Sequence, residues 1–168
     1  MIITIRKALT EEAGGVRRCL ASAFEPFRYQ YTRDAFEDTV PSAEAIRERM
    51  AQMTVYVAVS GAREIVGTVA YGVEADEGHM RGMAVHPAWQ GHGIAERLLR
   101  AVESDLLAAG CVRISLDTTD PLQRAIYFYR RNGFVVSGKV ADFFGMPLYE
   151  YVKALALPDY EDVRGRMG

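Results

Sequence analysis

The sequence VHPAWQGHGIAERLL, residues 85–99, places two glycines and an alanine where a strand passes into a helix. Glycine in a helix interior costs about 1 kcal/mol relative to alanine, so its use at this entrance needs a reason. Either the turn requires dihedral angles that favour glycine, or another molecule must approach the backbone closely. The apolar side chains that follow recur at helical spacing and predict an amphipathic helix from Ile94 to Ala109, ended by Gly110.

The start of this helix is suited to binding an anion. Its first N–H groups have no partner within the helix, and the helix dipole adds partial positive charge. Two phosphate motifs do not fit. A Walker loop requires Lys and then Ser or Thr where Ile94 and Ala95 stand, and a dinucleotide fingerprint requires glycine where Glu96 stands. The turn alone therefore indicates a general anion site, or a plain turn whose glycines serve its dihedral angles.

Composition narrows the class of protein. The chain of 168 residues suits one domain, with 49% hydrophobic and 25% charged residues. A net charge of -2 gives no basic footprint, so we expect no nucleic-acid partner. Cys19 and Cys111 are too few for a disulfide framework and form no metal motif, so we expect no metal. No apolar run is long enough for a membrane span or a signal peptide, so we expect a cytoplasmic protein without membrane contact.

The order of the predicted elements is β-α-α-β-β-β-α-β-α-β-β, which is typical of a layered α/β domain. We place the domain at residues 1–157 and a polar tail at 158–168. The stretch 26–42, PFRYQYTRDAFEDTVPS, is aromatic and charged without a clean period, and we interpret it as a lid or binding loop. A last helix is expected to begin with Asp120 as its N-cap, followed by Pro121 and by Gln123.

Two motifs in this order resemble a known family. Gln90-x-x-Gly93-x-Ala95 resembles the acetyl-CoA-binding motif of the GNAT superfamily of N-acetyltransferases. The segment AIYFYRRNGF, residues 125–134, resembles the second signature of that family, a helix with a tyrosine four residues before a Gly-Phe pair. The resemblance covers roughly residues 1–155. It implies a single GNAT-like α/β domain, with a mixed, mostly antiparallel sheet of about six to seven strands flanked by about four helices.

The resemblance also implies where acetyl-CoA, as a co-substrate, would bind. Backbone amides of the glycine turn would hold the pyrophosphate, with residues Gln90, Gly91, His92, Gly93, Ile94 and Ala95. The preceding strand would pair with the pantetheine arm through Met83, Ala84 and Val85. The N–H of Val85 is expected to polarise the thioester carbonyl.

The site departs from the family at one position. Leu122 stands where many members carry an asparagine, so Thr118, Thr119 or Asp120 would have to supply that polar contact to the pantetheine arm.

Two catalytic residues are implied in the same way. Tyr129 stands where the family carries a proton donor for the departing CoA thiolate, although its spacing also suits a core aromatic. His79, six residues before Val85, is a candidate base, because an unperturbed imidazole titrates at about pH 6.5. A hydrogen-bonded surface histidine explains His79 equally well. Glu74 and Glu77 compete as bases, His86 and His92 are poorer candidates, and some members use only a water chain.

The resemblance implies an N-acetyltransferase that transfers an acetyl group to a primary amine by direct attack on the thioester. We expect a small-molecule amine, with part of its site formed by residues 24–36. Acidic side chains in that region (Glu25, Asp34, Glu37 and Asp38) would attract a cation. Two alternatives remain: a protein acetyltransferase acting on lysine or an N-terminus, and a non-catalytic acyl-CoA sensor. We expect a monomer or homodimer. Arg124, Arg130 and Arg131 are candidates for the CoA 3′-phosphate, or form a solvated helix face.

Overall fold

The structure is a computed structural model that describes residues 2–155. Its centre is one seven-stranded sheet in the order β1-β2-β3-β4-β5-β7-β6. The strands are β1 (Ile3–Lys7), β2 (Thr54–Ser60), β3 (Ile65–Glu74), β4 (Glu77–Val85), β5 (Arg113–Thr118), β6 (Val135–Phe143) and β7 (Met146–Ala154). All neighbouring strands are antiparallel except β4 and β5, which are parallel. The expected α/β domain with a mostly antiparallel sheet is confirmed.

Helices cover both faces of this sheet. They are α1 (Ala13–Phe24), α2 (Arg33–Thr39), α3 (Ala43–Gln52), α4 (Ile94–Ala108) and α5 (Gln123–Arg131). One buried cluster joins α4 and α5 to the sheet, and a second joins α1, α2 and α3 to it. The predicted tail at 158–168 lies outside the described residues, and the domain boundary at residue 157 stays a prediction.

Helix α2 corrects our interpretation of residues 26–42 as an irregular loop. Residues 25–30 form a 3₁₀ helix, and Thr32 then caps α2, its Oγ1 accepting a hydrogen bond from the Ala35 amide at 3.3 Å. Ala35 and Phe36 are buried against the sheet and its neighbouring helices. A helix of seven residues with one turn of buried side chains is too short for its period to stand out in the sequence.

The predicted start of the last helix was also wrong. Helix α5 begins at Gln123 after Leu122, and no side chain caps it. The Asp120 carboxylate instead accepts a hydrogen bond from the Tyr149 hydroxyl at 3.2 Å, and the Gln123 side chain donates to the Asp120 carbonyl at 2.6 Å. Tyr149 is brought to Asp120 by β7, a contact between residues far apart in the chain.

An opening between β4 and β5 creates the space for a site. The two strands pair only from Glu77 to Met80 on β4 and from Arg113 to Leu116 on β5, and their later residues have no partner across the gap. On the other side of β4, Val69 of β3 faces two residues, Gly82 and Met83, which is a β-bulge. Gly82 has φ +63°, a conformation that favours glycine. The bulge therefore bends β4 beside the gap.

Candidate active site

The glycine turn before α4 answers the question raised by its sequence. Gly91 has φ +82° and Gly93 has φ +74°, so both glycines are required by the left-handed backbone. The turn is also open. A Cβ added to Gly91 would meet nothing within 4 Å, and one added to Gly93 would meet only the Glu96 carboxylate at 3.9 Å. The dihedral angles account for the glycines, and a group from solvent can still reach the backbone.

The first amides of α4 face this open turn without partners in the helix. Gly93 stands at the N-cap and provides no side-chain cap, and the first helical hydrogen bond runs from the Arg97 amide to the Gly93 carbonyl at 3.2 Å. The amides of residues 94–96 consequently have no helical acceptor. Together with the positive end of the helix dipole, they form a site suited to an anion.

A cavity of about 580 Å³, which we call the helix-turn cavity, extends from this turn. Its lining includes eight of the nine residues assigned to acetyl-CoA: Met83, Ala84, Val85, Gln90, Gly91, Gly93, Ile94 and Ala95. The ninth, His92, is exposed and does not line the cavity; its ring stacks edge-on against Trp89 at 6.2 Å. The structure thus brings together most of the predicted cofactor residues around one cavity.

Val85 presents its backbone amide to the gap between the strands. The His86 amide bonds to the Val66 carbonyl at 2.8 Å, and the register pairs Val85 with Gly67. Since hydrogen-bonded and non-bonded pairs alternate in an antiparallel ladder, the Val85 amide and carbonyl point away from β3. The Gln90 side-chain amide donates a hydrogen bond to the Val85 carbonyl at 3.3 Å. The Val85 amide therefore points away from β3 toward the gap, and its role at the thioester carbonyl stays a prediction.

A second cavity, of about 270 Å³, adjoins the helix-turn cavity, and we call it the His79 cavity. Its polar lining includes His79, Asp117, Tyr31 and Thr119. Four residues line both cavities, and we call them the shared wall: Phe24, Met83, Leu122 and Tyr129.

Tyr129 is a buried phenol at this wall. Its side chain is 7% exposed, and its ring packs edge-on against Phe128 and Phe134 at centroid distances of 5.6 and 5.8 Å. Burial raises the pKa of Tyr129 above its ordinary value, so the phenol keeps its proton at neutral pH. Tyr129 is therefore a core aromatic that lines both cavities and keeps its proton, and its role as a proton donor to the CoA thiolate stays a prediction.

His79 is held by two neighbours from β5. Its Nδ1 lies 3.0 Å from the Ser115 hydroxyl, and its Nε2 lies 3.6 Å from the Asp117 carboxylate. Burial raises the pKa of Asp117 above its usual range, and the charge of His79 opposes that rise. Both ring nitrogens of His79 therefore face side chains of β5, and the His79 side chain is 43% exposed. This geometry fits a hydrogen-bonded surface histidine as well as a base, and the role of base stays a prediction.

Sequence reasoning missed Asp117 as a partner of His79. The signal that could have found it is the alternation of β5, which places Ser115 and Asp117 on one face. The pairing of His79 with Ser115 across the parallel strands was not available from the sequence, because β4 and β5 are separated by α4.

The competing bases lie away from both cavities. Glu77 is 3.5 Å from the Arg113 guanidinium, and Glu74 is exposed at the end of β3. His86 uses its Nδ1 to accept the Ala88 amide at 3.1 Å, which closes the turn after β4. None of these three side chains, nor His92, lines either cavity.

The side-chain oxygens considered in place of the missing asparagine differ in their availability. The Thr119 hydroxyl is hydrogen-bonded to the Tyr31 hydroxyl at 2.7 Å, and Asp120 is bound by Tyr149. The Thr118 Oγ1 is buried and has no hydrogen-bond partner within residues 2–155. Buried hydroxyls are rarely left unpaired, so Thr118 is the one of the three that offers a free group beside the gap.

The acidic residues expected to attract an amine are mostly occupied elsewhere. Glu25 pairs with Arg28 at 2.8 Å and Glu37 with Arg33 at 3.2 Å, both at the surface. Only Asp38 of the four lines the His79 cavity. The aromatic segment contributes Phe24 and Tyr31 to this cavity, so part of the predicted acceptor region does border it.

The three arginines considered for the CoA 3′-phosphate have different surroundings. Arg131 binds Glu96 at 2.6 Å, joining α5 to α4 at the edge of the helix-turn cavity, and Arg130 reaches the Tyr151 hydroxyl at 3.5 Å. Arg124 lines the helix-turn cavity and has no ion-pair partner in the described part of the chain. Arg124 is thus the arginine that remains free for a phosphate.

Comparison with known proteins identifies the family. A profile of the acetyltransferase (GNAT) family matches residues 16–134, and the chain belongs to this family. A GNAT-family acetyltransferase from Staphylococcus aureus Mu50 has a TM-score of 0.76 at 21% identity, covering 92% of this chain and 100% of that one. The PaiA N-acetyltransferase from Thermoplasma acidophilum, solved in complex with coenzyme A, has a TM-score of 0.77 at 18% identity, covering 92% and 99%.

A third structure with the same fold acts on a protein. The ribosomal-protein-S18-alanine N-acetyltransferase from Escherichia coli has a TM-score of 0.75 at 14% identity, with 95% of this chain and 97% of that one covered. At such identities these likenesses concern the fold. Among residues 2–155, no helix is long and apolar enough to cross a membrane, and no cluster of His, Cys, Asp or Glu could hold a metal ion.

Proposed function

We propose that this protein is an acetyl-CoA-dependent N-acetyltransferase that acetylates the primary amine of a small molecule by direct attack on the thioester. The observation that carries the proposal is the meeting of two cavities at Tyr129, one reaching the α4 amides and the other containing His79. Such an arrangement allows a thioester in one cavity and an amine in the other to meet where the two cavities adjoin. Holding the two reactants in this way removes much of the entropic cost of the reaction.

The helix-turn cavity fits the co-substrate. The amides at the start of α4 are suited to a pyrophosphate, and Arg124 is suited to a further phosphate. The Val85 amide offers a polar partner along the gap, where the pantetheine arm would lie. The Thr118 hydroxyl, which has no hydrogen-bond partner within residues 2–155, lies at the end of β5 in the lining of the neighbouring His79 cavity. Acetyl-CoA would supply the acetyl group as an activated thioester.

Two side chains, His79 and Tyr129, each carry out one of the proton transfers. His79, held by Ser115 and Asp117, accepts the proton that the amine must lose, directly or through a water molecule. The amine nitrogen bonds to the carbonyl carbon as the carbon–sulfur bond breaks. The Val85 amide stabilises the negative charge that develops on the carbonyl oxygen. Tyr129 gives its proton to the departing sulfur and recovers one from solvent or from His79.

A small acceptor is favoured by the size of the His79 cavity. Its volume of about 270 Å³ is less than the roughly 300–1,000 Å³ of pockets for drug-sized ligands. The Tyr31–Thr119 hydrogen bond joins the segment after α1 to the residue that follows β5 beside this cavity. A peptide would require an extended groove instead.

The proposal is tested by acetyl-CoA binding and by thiol release with a panel of amines. Gly91→Asp puts a carboxylate at the amide turn, and we expect it to weaken calorimetric acetyl-CoA binding more than about 10-fold. Gly110→Asp is the matched control, because Gly110 has φ +80° against +82° for Gly91, and neither has an atom within 4 Å of an added Cβ. Equal losses of affinity in both variants would remove the pyrophosphate assignment.

The amine panel separates the three candidate functions. Thiol release with small amines supports the proposal. Release only with peptides would replace it with the protein acetyltransferase, and acetyl-CoA binding without release for any amine would replace it with the sensor.

A further inference from the structure

The His79 cavity contains an arginine that the proposed chemistry does not use. Arg49 of α3 lines this cavity, and its Nη1 lies 3.0 Å from the position of a Cβ built on Gly82. The guanidinium thus packs over the β4 bulge, where only a glycine leaves room for it. The Arg49 guanidinium makes no hydrogen bond or ion pair with any residue in the described range 2–155.

Arg49 has no carboxylate of its own as a counter-ion among the residues that line this cavity. The side chain is half-buried, and burial together with the nearby charge of Arg81 lowers the pKa of Arg49 to about 10. Asp38 is the acidic group that opposes this fall, but Asp38 lies 3.5 Å from Arg81. Two guanidinium groups therefore share one carboxylate at this end of the cavity.

The other carboxylate in the lining is already occupied. Asp117 lies 3.6 Å from His79, at the part of the cavity assigned to the amine. A guanidinium has five N–H donors in a planar fork that matches a carboxylate. An unpaired one in a small cavity is the group expected where a ligand supplies the missing anion.

We propose that the acceptor amine also carries a carboxylate, as an amino acid does, and that Arg49 binds this carboxylate while Arg81 and Asp38 flank it. The inference rests on the proposed function, because it places the acceptor in the His79 cavity. It deepens that function by defining the substrate as a small zwitterion. The amine would lie toward His79 and Asp117, and the carboxylate toward α3. Arg49 would then determine specificity and take no part in proton transfer.

The test compares amino acids with their amides and with the corresponding amines that lack the carboxyl group. For wild-type protein, kcat/KM from thiol release should be higher for an accepted amino acid than for its amide. Arg49→Gln should raise the KM for that amino acid about 10- to 100-fold, the range expected for hydrogen bonds to a charged group. The KM for acetyl-CoA should not change. Arg49→Lys keeps the charge without the fork and should recover part of the loss.

Arg47→Gln is the control, since Arg47 is exposed on the same helix and lines neither cavity. Equal use of amines with and without the carboxylate, or an equal loss of both in Arg49→Gln, would overturn the carboxylate site and leave the acetyltransferase proposal standing.

If no amine is acetylated, calorimetric binding of the amino acids to the protein saturated with CoA decides the question. Binding that Arg49→Gln weakens supports the site independently of catalysis, and absence of binding overturns it.

Discussion

Replacing Tyr129 with phenylalanine separates its packing from its chemistry. The hydroxyl makes no hydrogen bond to a residue of the described chain, so its removal leaves no protein group unpaired. The ring and its edge-on contacts with Phe128 and Phe134 are kept. The free energy of unfolding should consequently change by less than about 1 kcal/mol, below the usual cost of a deleted hydrogen bond.

The effect on turnover should be much larger. Loss of a positioned general acid costs about 10²- to 10⁴-fold in rate. Burial raises the pKa of Tyr129 further above that of a thiol, which is about 8.5, so the phenol is a weak acid for this leaving group. We therefore expect a fall in kcat near the lower end, about 100-fold, with an unchanged dissociation constant for acetyl-CoA.

The assay is steady-state thiol release with an accepted amine, accompanied by calorimetry with acetyl-CoA and by urea unfolding. Tyr29→Phe is the control, because Tyr29 is 98% exposed and lines neither cavity. An unchanged kcat in Tyr129→Phe would show that the tyrosine only packs. A large loss of stability with a parallel loss of acetyl-CoA binding would equally refute the reasoning, because the ring would then have moved.

Two further variants test the pairing of His79 with Asp117 and the packing of β4 against α4. Asp117→Asn should lower kcat because His79 loses its carboxylate, yet should be no less stable than wild type at neutral pH in urea unfolding. Asp117 has a higher pKa in the folded protein than in the unfolded chain, where an aspartate titrates at about 4. The free energy of unfolding of the wild type therefore falls as the pH rises from about 4 through the folded pKa, and Asp117→Asn removes this fall. Gly78→Ala should destabilise the fold by about 1–3 kcal/mol, since its Cβ would clash with the buried side chain of Leu106. Gly61→Ala, with nothing within 4 Å of the new Cβ, should be close to neutral, and equal thermal stability of the two variants would disprove the packing argument.

The parts of the structure that local sequence determines were predicted well. Helix α4 follows from its apolar spacing and its flanking glycines, and it ends one residue before the predicted Ala109. Gly91 and Gly93 are required by the backbone of the turn, a property of the turn itself. Strand β5 likewise follows from its β-branched content and its length, whichever partner it finds.

The parts that depend on distant contacts could not be predicted in the same way. Asp120 has the residue type of a helix cap, but Tyr149 on β7 engages its carboxylate. Asp117 becomes a partner of His79 only through the parallel pairing of β4 with β5. Arg49 is an ordinary arginine of an amphipathic helix until the fold places it over Gly82.

Gly82 links the two halves of the candidate site. Its left-handed conformation allows the bulge in β4, and the bulge places Met83 in the wall shared by both cavities. Its missing side chain also leaves the space that the Arg49 guanidinium fills. A glycine inside a strand pattern is a sequence signal for a bulge or a close approach, and here it serves both purposes. Because one backbone position shapes the gap beside Val85 and also admits the arginine, the proposed thioester site and the proposed selection of the acceptor would be physically coupled.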